Sequence, residues 1–164
     1  MGLFGKLAKD ILRQVMNDGT DSRYERNNNH SQQEYENSYS PEPTYPKGMN
    51  TGCSWGDIMP DEENQYNFDG KYYEYFEKIY NEEFPQYNIT YDKLTNRNAT
   101  IFTFRSGNTP VLYVELLSSK SSAKKFRAEC AKYGIAYLRF YFDKHDWWNT
   151  RSYVIMRTKM ALGL

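Results

Sequence analysis

The sequence predicts an α/β (α+β) domain over residues 55–164, preceded by a disordered linker and a short amphipathic helix. Three observations carry that reading. From residue 55 onward, helical and strand-like apolar patterns alternate in the order α-β-β-β-α-β-α, with turn residues between them. From Asn17 to Asp57 the chain has no Val, Ile, Leu or Phe, so residues 17–54 cannot bury enough apolar surface to offset their ordering entropy. Within residues 1–16, Leu3, Leu7, Ile11 and Val15 recur every four positions and form one stripe of a helix. A chain of 164 residues has room for one such domain plus a tail.

The first helix opposes its stripe with Lys6, Lys9, Asp10, Arg13 and Gln14. So short a helix is marginal in water and needs a surface to form on, which is expected to be a protein partner, the domain itself or a membrane surface. Gly2 does not make a myristoylation signal, because position 6 is Lys rather than Ser or Thr. No apolar run is long enough to span a bilayer. The N-terminus also lacks the apolar centre and small-residue cleavage site of a secretory signal. Cys53 and Cys130 have no metal-ligand spacing and no disulfide framework, which fits a reducing, cytoplasmic setting.

Within the domain, "MPDEEN" offers Pro60 at a first helical position with acids behind it, a short helical start. A longer helix is expected from about Asp69 to Pro85, burying Tyr72, Tyr73, Phe76, Ile79 and Tyr80 and exposing Glu74, Glu77, Lys78 and Glu82. "YNITY" alternates as a strand. "ATIFTF" and "VLYVELL" flank "RSGNTP", a hairpin with Gly107 and Asn108 in its turn. Ser121 or Ser122 caps the next helix, whose stripe is Ala123, Phe126, Cys130 and Tyr133, and Gly134 follows its end. "IAYLRFYF" is apolar or aromatic at nearly every position and reads as a central strand buried on both faces. Asn149 or Thr150 caps a closing helix carrying Tyr153, Val154, Met156, Met160 and Ala161.

Charge is balanced overall, at 21 basic and 21 acidic residues, but not along the chain. Residues 1–92 carry 8 Lys and Arg against 17 Asp and Glu, a net −9, whereas residues 93–164 carry 13 against 4, a net +9. A basic half fits an anionic partner, or is neutralised within the fold by the acidic half. The basic face expected to meet nucleic acid or another polyanion comprises Lys120, Lys124, Lys125, Arg127, Lys132 and Arg139, with Arg151, Arg157 and Lys159 beyond it. Trp147 and Trp148 either stack on bases or fill core. Several chemistries lack material. His145 is the only histidine after residue 55, and "SGNTP" has one Gly and no Lys-Ser/Thr ending, so it is not a phosphate-cradling loop.

Helix, three-stranded meander, helix, strand is an order that resembles the core of the restriction-endonuclease-like, or PD-(D/E)XK, superfamily. The likeness runs from Ala99 to Phe142, through a hairpin ending in Glu115, the helix "SAKKFRAECAKYG" and the strand "IAYLRFY". The chain is also similar to bacterial proteins of unknown function. The resemblance implies a site in which acids from adjacent strands hold Mg²⁺ and a lysine two residues beyond the second acid positions water. Glu115 matches that second acid and would be the metal ligand. The lysine position is Leu117, and Thr103 stands near the first acid. A working nuclease would need its lysine from Lys120, Lys124 or Lys125 and a further acid from Glu74, Glu77 or Asp92. The alternative is that Glu115 pairs with Arg139 and does no chemistry. The sequence therefore leans toward a non-catalytic binding module without a cofactor. A scaffold docked through its first helix, and an Mg²⁺-dependent nuclease with a migrated lysine, are the alternatives.

Overall fold

The computed structural model describes residues 55, 56, 58–95 and 98–164. The expected helix at residues 1–16, the linker at 17–54 and Cys53 lie outside them. The elements are α1 (Tyr72–Glu83), β1 (Asn88–Leu94), β2 (Ala99–Ser106), β3 (Thr109–Leu117), α2 (Lys124–Lys132), β4 (Ala136–Tyr141) and α3 (Arg151–Leu162). That is the order read from the sequence. The sheet runs β1-β2-β3-β4. Its first three strands form an antiparallel meander and β4 lies parallel to β3. A parallel neighbour needs a crossover, and α2 supplies it.

Residues of β3 alternate between two cores, as the two-residue period of a strand requires. Leu112, Val114 and Leu116 join Phe102 and Phe104 of β2 beneath α1 and α3. Tyr113 and Leu117 join Ile101, Phe126 and Cys130 beneath α2. The protein is thus an α+β fold with a mixed, partly parallel sheet flanked by helices. The β2–β3 turn contains two residues, with Gly107 at φ +59°, a left-handed conformation that a Cβ would disfavour.

The larger core is strongly aromatic. Tyr80 meets Phe102 and Phe104 edge-on at centroid separations of 5.2 and 4.9 Å, and Phe76 packs 5.1 Å from Phe140. Edge-to-face rings place positive edges against negative faces, a directional gain beyond area burial. The register of α1 follows from this, because Phe76, Ile79 and Tyr80 fall on one stripe.

Several local expectations are corrected. "MPDEEN" forms bends rather than a helix, because its polar groups serve α3 instead. The Glu63 carbonyl accepts from Arg151 N at 3.0 Å, and the Glu62 carboxylate accepts from Ser152 N and Oγ at 2.6 and 2.8 Å. Helix α1 begins at Tyr72, with the Lys71 amide donating to Glu74 Oε2. Tyr75, expected outside its stripe, is wholly buried. Its hydroxyl donates to the carbonyls of Glu63 and Asn149, at 2.7 and 2.9 Å.

Ala123, not a serine, is the N-cap of α2, though Ser122 Oγ accepts from Lys124 N at 3.4 Å. Tyr133 is exposed, since the chain leaves the helix there and turns at Gly134, φ +65°. Strand β4 is an edge strand, not a central one. Its apolar texture is explained by helices on both of its faces, α2 on one side and α3 on the other.

Helix α3 is capped by Thr150, whose side chain accepts from Tyr153 N. Thr150→Ala is expected to lower the unfolding free energy by about 1 kcal/mol, with Thr150→Ser nearly neutral. Urea denaturation of both variants checks this.

Candidate functional site

Glu115 sits two residues before the end of β3, on the α2 face, and is wholly buried. In register it lies between Ile101 of β2 and Arg139 of β4. Tyr137, two residues before Arg139 and on the same face of β4, donates its hydroxyl to Glu115 Oε2 at 2.6 Å. Burial, the Glu115 charge and this hydrogen bond all push the Tyr137 phenol upward, against a lowering by Arg139. Cys130 of α2 is buried over the same region, and burial followed by the Glu115 charge raises its thiol to about 12. A thiol in that state is a small core hydrophobe and not a nucleophile.

The other residues that a metal-dependent site would need lie elsewhere. Leu117 and Thr103 are core residues without exposure. Lys124 and Lys125 are exposed on α2, turned away from the side that buries Phe126 and Cys130, and Lys120 is exposed in the turn before it. Glu74 and Glu77 belong to α1, which packs on the opposite face of the sheet from Glu115. Asp92 shares a face with Glu115, but Ile101 stands between them in register, which separates the two by two strand spacings. Two spacings amount to roughly 9.5 Å, too far for a shared ion. Among the described residues no three His, Cys, Asp or Glu side chains gather as metal ligands. Magnesium demands a near-octahedral shell of oxygens, and the surroundings of Glu115, the Tyr137 phenol, the Cys130 thiol, Arg139 in register on β4 and apolar side chains, do not fit one.

Eight of the domain's basic residues fall into three groups. Lys124, Lys125 and Lys132 are exposed on the outer side of α2, with Arg127 half-buried beside them. Lys132 Nζ lies 4.0 Å from Glu129. Arg151 is neutralised locally, its guanidinium meeting both Glu82, at 2.9 Å, and Glu83. The third group surrounds a cavity of about 180 Å³ along the edge of β4, where Arg139, Lys144 and Arg157 converge.

Aromatic rings share that cavity. Lys144 Nζ stands 4.7 Å from the Trp147 ring centre, Arg139 5.4 Å from that of Tyr141, and Arg157 5.6 Å from that of Tyr153. Arg157 also donates to the Tyr153 hydroxyl at 2.9 Å. Of the two tryptophans, Trp147 packs edge-on to Tyr153 and Trp148 edge-on to Tyr66, so both are half-buried and neither is freely presented. His145 is almost fully exposed and lies 2.7 Å from its neighbour Asp146. The "DKHD" loop is held instead by Asp143, which accepts from Ser118 Oγ and Ser119 N at 2.6 Å each. Burial raises the Asp143 carboxyl, but those hydrogen bonds outweigh it and hold the group below its ordinary value.

Tyr137 and Lys144 were not singled out from the sequence as site residues. The period-two spacing of Tyr137, Arg139 and Tyr141 did place a phenol and a guanidinium on one face of a strand. It could not show that a buried glutamate faces the first and an open edge lies beside the second. No helix among the described residues is long and apolar enough to cross a membrane. No family model, curated protein or solved structure matches this chain.

Proposed function

We propose that the protein is a non-catalytic binding module on a degenerate scaffold of the PD-(D/E)XK type, recognising nucleic acid or a similar polyanion through the outer side of α2. One observation carries this reading. The α2 lysines face solvent on the side of the helix opposite the sealed Glu115, so the charge is offered to a ligand while the acid is withheld from one. Phosphate recognition by lysines of this kind is electrostatic and releases counterions, which makes it steeply salt-dependent. The same separation speaks against cleavage, because no water-activating constellation forms around a carboxylate that solvent does not reach. A cytoplasmic location is consistent with Cys130 being free and buried among the described residues.

Binding of the full chain to a fluorescent oligonucleotide, measured across salt concentrations, tests the reading. Affinity is expected to fall log-linearly with salt, and Lys124→Glu with Lys125→Glu to flatten that slope by about 1.5 and weaken binding by about tenfold or more. Unchanged affinity in the double reversal would sink the proposal. Both residues are exposed, so the variant keeps the fold, which circular dichroism verifies.

A further inference from the structure

Many of the domain's acids and the lysines of α2 lie on different sides of the sheet. Glu74, Glu77, Glu82 and Glu83 belong to α1, which packs on the face opposite α2, and Glu82 and Glu83 hold Arg151. Asp143, beside the turn before α2, is bonded to Ser118 and Ser119. Helix α2 itself has no acid in its first turn, and its Glu129 lies beside Lys132. Lys120 and Lys124 are exposed at the start of this side and Lys132 at its end.

The chain ahead of the domain carries a segment of opposite charge. Residues 34–45, "EYENSYSPEPTY", hold Glu34, Glu36 and Glu42 and no Lys or Arg. Tyr35, Tyr39 and Tyr45 are spaced among these acids, so the segment offers negative charges with flat rings between them, as a single strand offers phosphates and bases. Its point of entry into the domain is tied to the α2 side. Trp55 is bridged to Trp147, and Gly56 N donates to the Asp146 carbonyl at 3.0 Å. Asp143, in the same loop, holds the turn that carries Lys120 and leads into α2. Tyr45 lies 10 and Glu34 21 residues before Trp55, lengths that span about 17–25 Å as a coil. Helix α2, with nine residues, is about 13 Å long. The tether therefore has the length to run along the helix, and it delivers its acids at an effective concentration on the order of millimolar.

We infer that residues 34–45 fold back on the basic side of α2, at Lys120, Lys124 and Lys132, and compete there with an external polyanion. The inference rests on the reading of that side as a polyanion-binding face and adds its regulation, since an incoming ligand must displace the protein's own acidic tether. A face occupied for about two-thirds of the time binds about threefold more weakly, because only the open fraction is competent.

Zero-length carbodiimide cross-linking of the full chain, read by peptide mass spectrometry, tests the contact without nucleic acid. Glu34, Glu36 or Glu42 is expected to be joined to Lys120, Lys124 or Lys132 in the monomer band, with a yield that falls as salt rises. The inference is overturned if no such joins form at low salt, if they occur only in a dimer band, or if Lys71, Lys78 and Lys93, on the α1 side of the sheet, are joined equally well.

Affinity for the fluorescent oligonucleotide tests the competition. Glu34→Gln with Glu36→Gln and Glu42→Gln is expected to bind about threefold tighter than the parent at low salt, with the gap closing as salt rises. Asp18→Asn with Asp21→Asn and Glu25→Gln removes the same charge earlier in the chain and is expected to change affinity by less than about twofold. Equal affinity of the parent and the first variant, or equal gains in both variants, overturns the inference. The two proposals fail separately. Strand binding that depends on Lys124 and Lys125 but not on Glu34, Glu36 and Glu42 removes the tether and keeps the face. Cross-links to α2 without strand binding by the parent or either variant remove the polyanion reading, and the competition with it, and keep only the contact.

Discussion

Phe76→Ala is expected to lower the unfolding free energy by about 3–5 kcal/mol, the usual range for truncating a wholly buried phenylalanine. The side chain has no exposure and lies at the junction of α1 with the sheet, 5.1 Å from Phe140 and 5.6 and 5.9 Å from the rings of Tyr75 and Tyr80. Its removal deletes one ring from three aromatic contacts at once. The neighbours cannot close the space easily, because Tyr80 is held edge-on by Phe84, Phe102 and Phe104 and rigid rings do not flow into a void. Against a typical total stability of about 5–15 kcal/mol, the loss is a large fraction of what holds the domain together. Urea unfolding followed by circular dichroism measures it, with Ile58→Ala, at an 86% exposed position, expected to stay within about 0.5 kcal/mol of the parent. A Phe76→Ala loss below about 1 kcal/mol would mean that α1 is not packed on the sheet as described.

The element order was legible because each element announced itself locally. Alternation in "YNITY", the Gly107–Asn108 turn and a cap at Asn149 or Thr150 need no tertiary information. What escaped depended on contacts distant in sequence. "IAYLRFYF" reads as central and buried on both faces, but only Leu138 and Phe140 of β4 are buried, on the α3 side, whereas Tyr137, Arg139 and Tyr141 on the other face stay half-exposed. Tyr75 escaped for a similar reason. A helical stripe marks one buried face, whereas the "MPDEEN" segment folds back to accept the Tyr75 hydroxyl on a second.

Glu115 was recognised as the residue on which the functional question turns, and the structure places it beside Arg139 in register. Its bond to Tyr137 lies 22 residues away in sequence and follows from the parallel pairing of β3 with β4, which sequence periodicity does not specify. The cavity escaped most completely. It draws Arg139 from β4, Lys144 and Trp147 from a loop, and Tyr153 and Arg157 from α3, with no motif spacing among them.

Tyr137→Phe is expected to cost about 2 kcal/mol, more than the loss of one methylene-sized contact would explain. The substitution keeps the ring, which packs edge-on to Phe126 at 5.9 Å, and removes only the hydroxyl that reaches Glu115 Oε2. A buried carboxylate oxygen deprived of a charge-assisted donor bears its desolvation cost with less compensation. Glu115→Gln retains an acceptor for that hydroxyl, so Tyr137→Phe should cost less in the Glu115→Gln background. A double-mutant cycle is expected to return a coupling of at least about 1 kcal/mol, since the two groups touch. Additive costs would mean that the hydrogen bond contributes no stability. The functional consequence is as sharp. If Glu115 and Tyr137 serve only to join β3 and β4, both single variants, at a temperature where each is folded, will bind the oligonucleotide with parental affinity and parental salt dependence. A carboxylate needed at the ligand would instead show its loss in binding before any loss of fold.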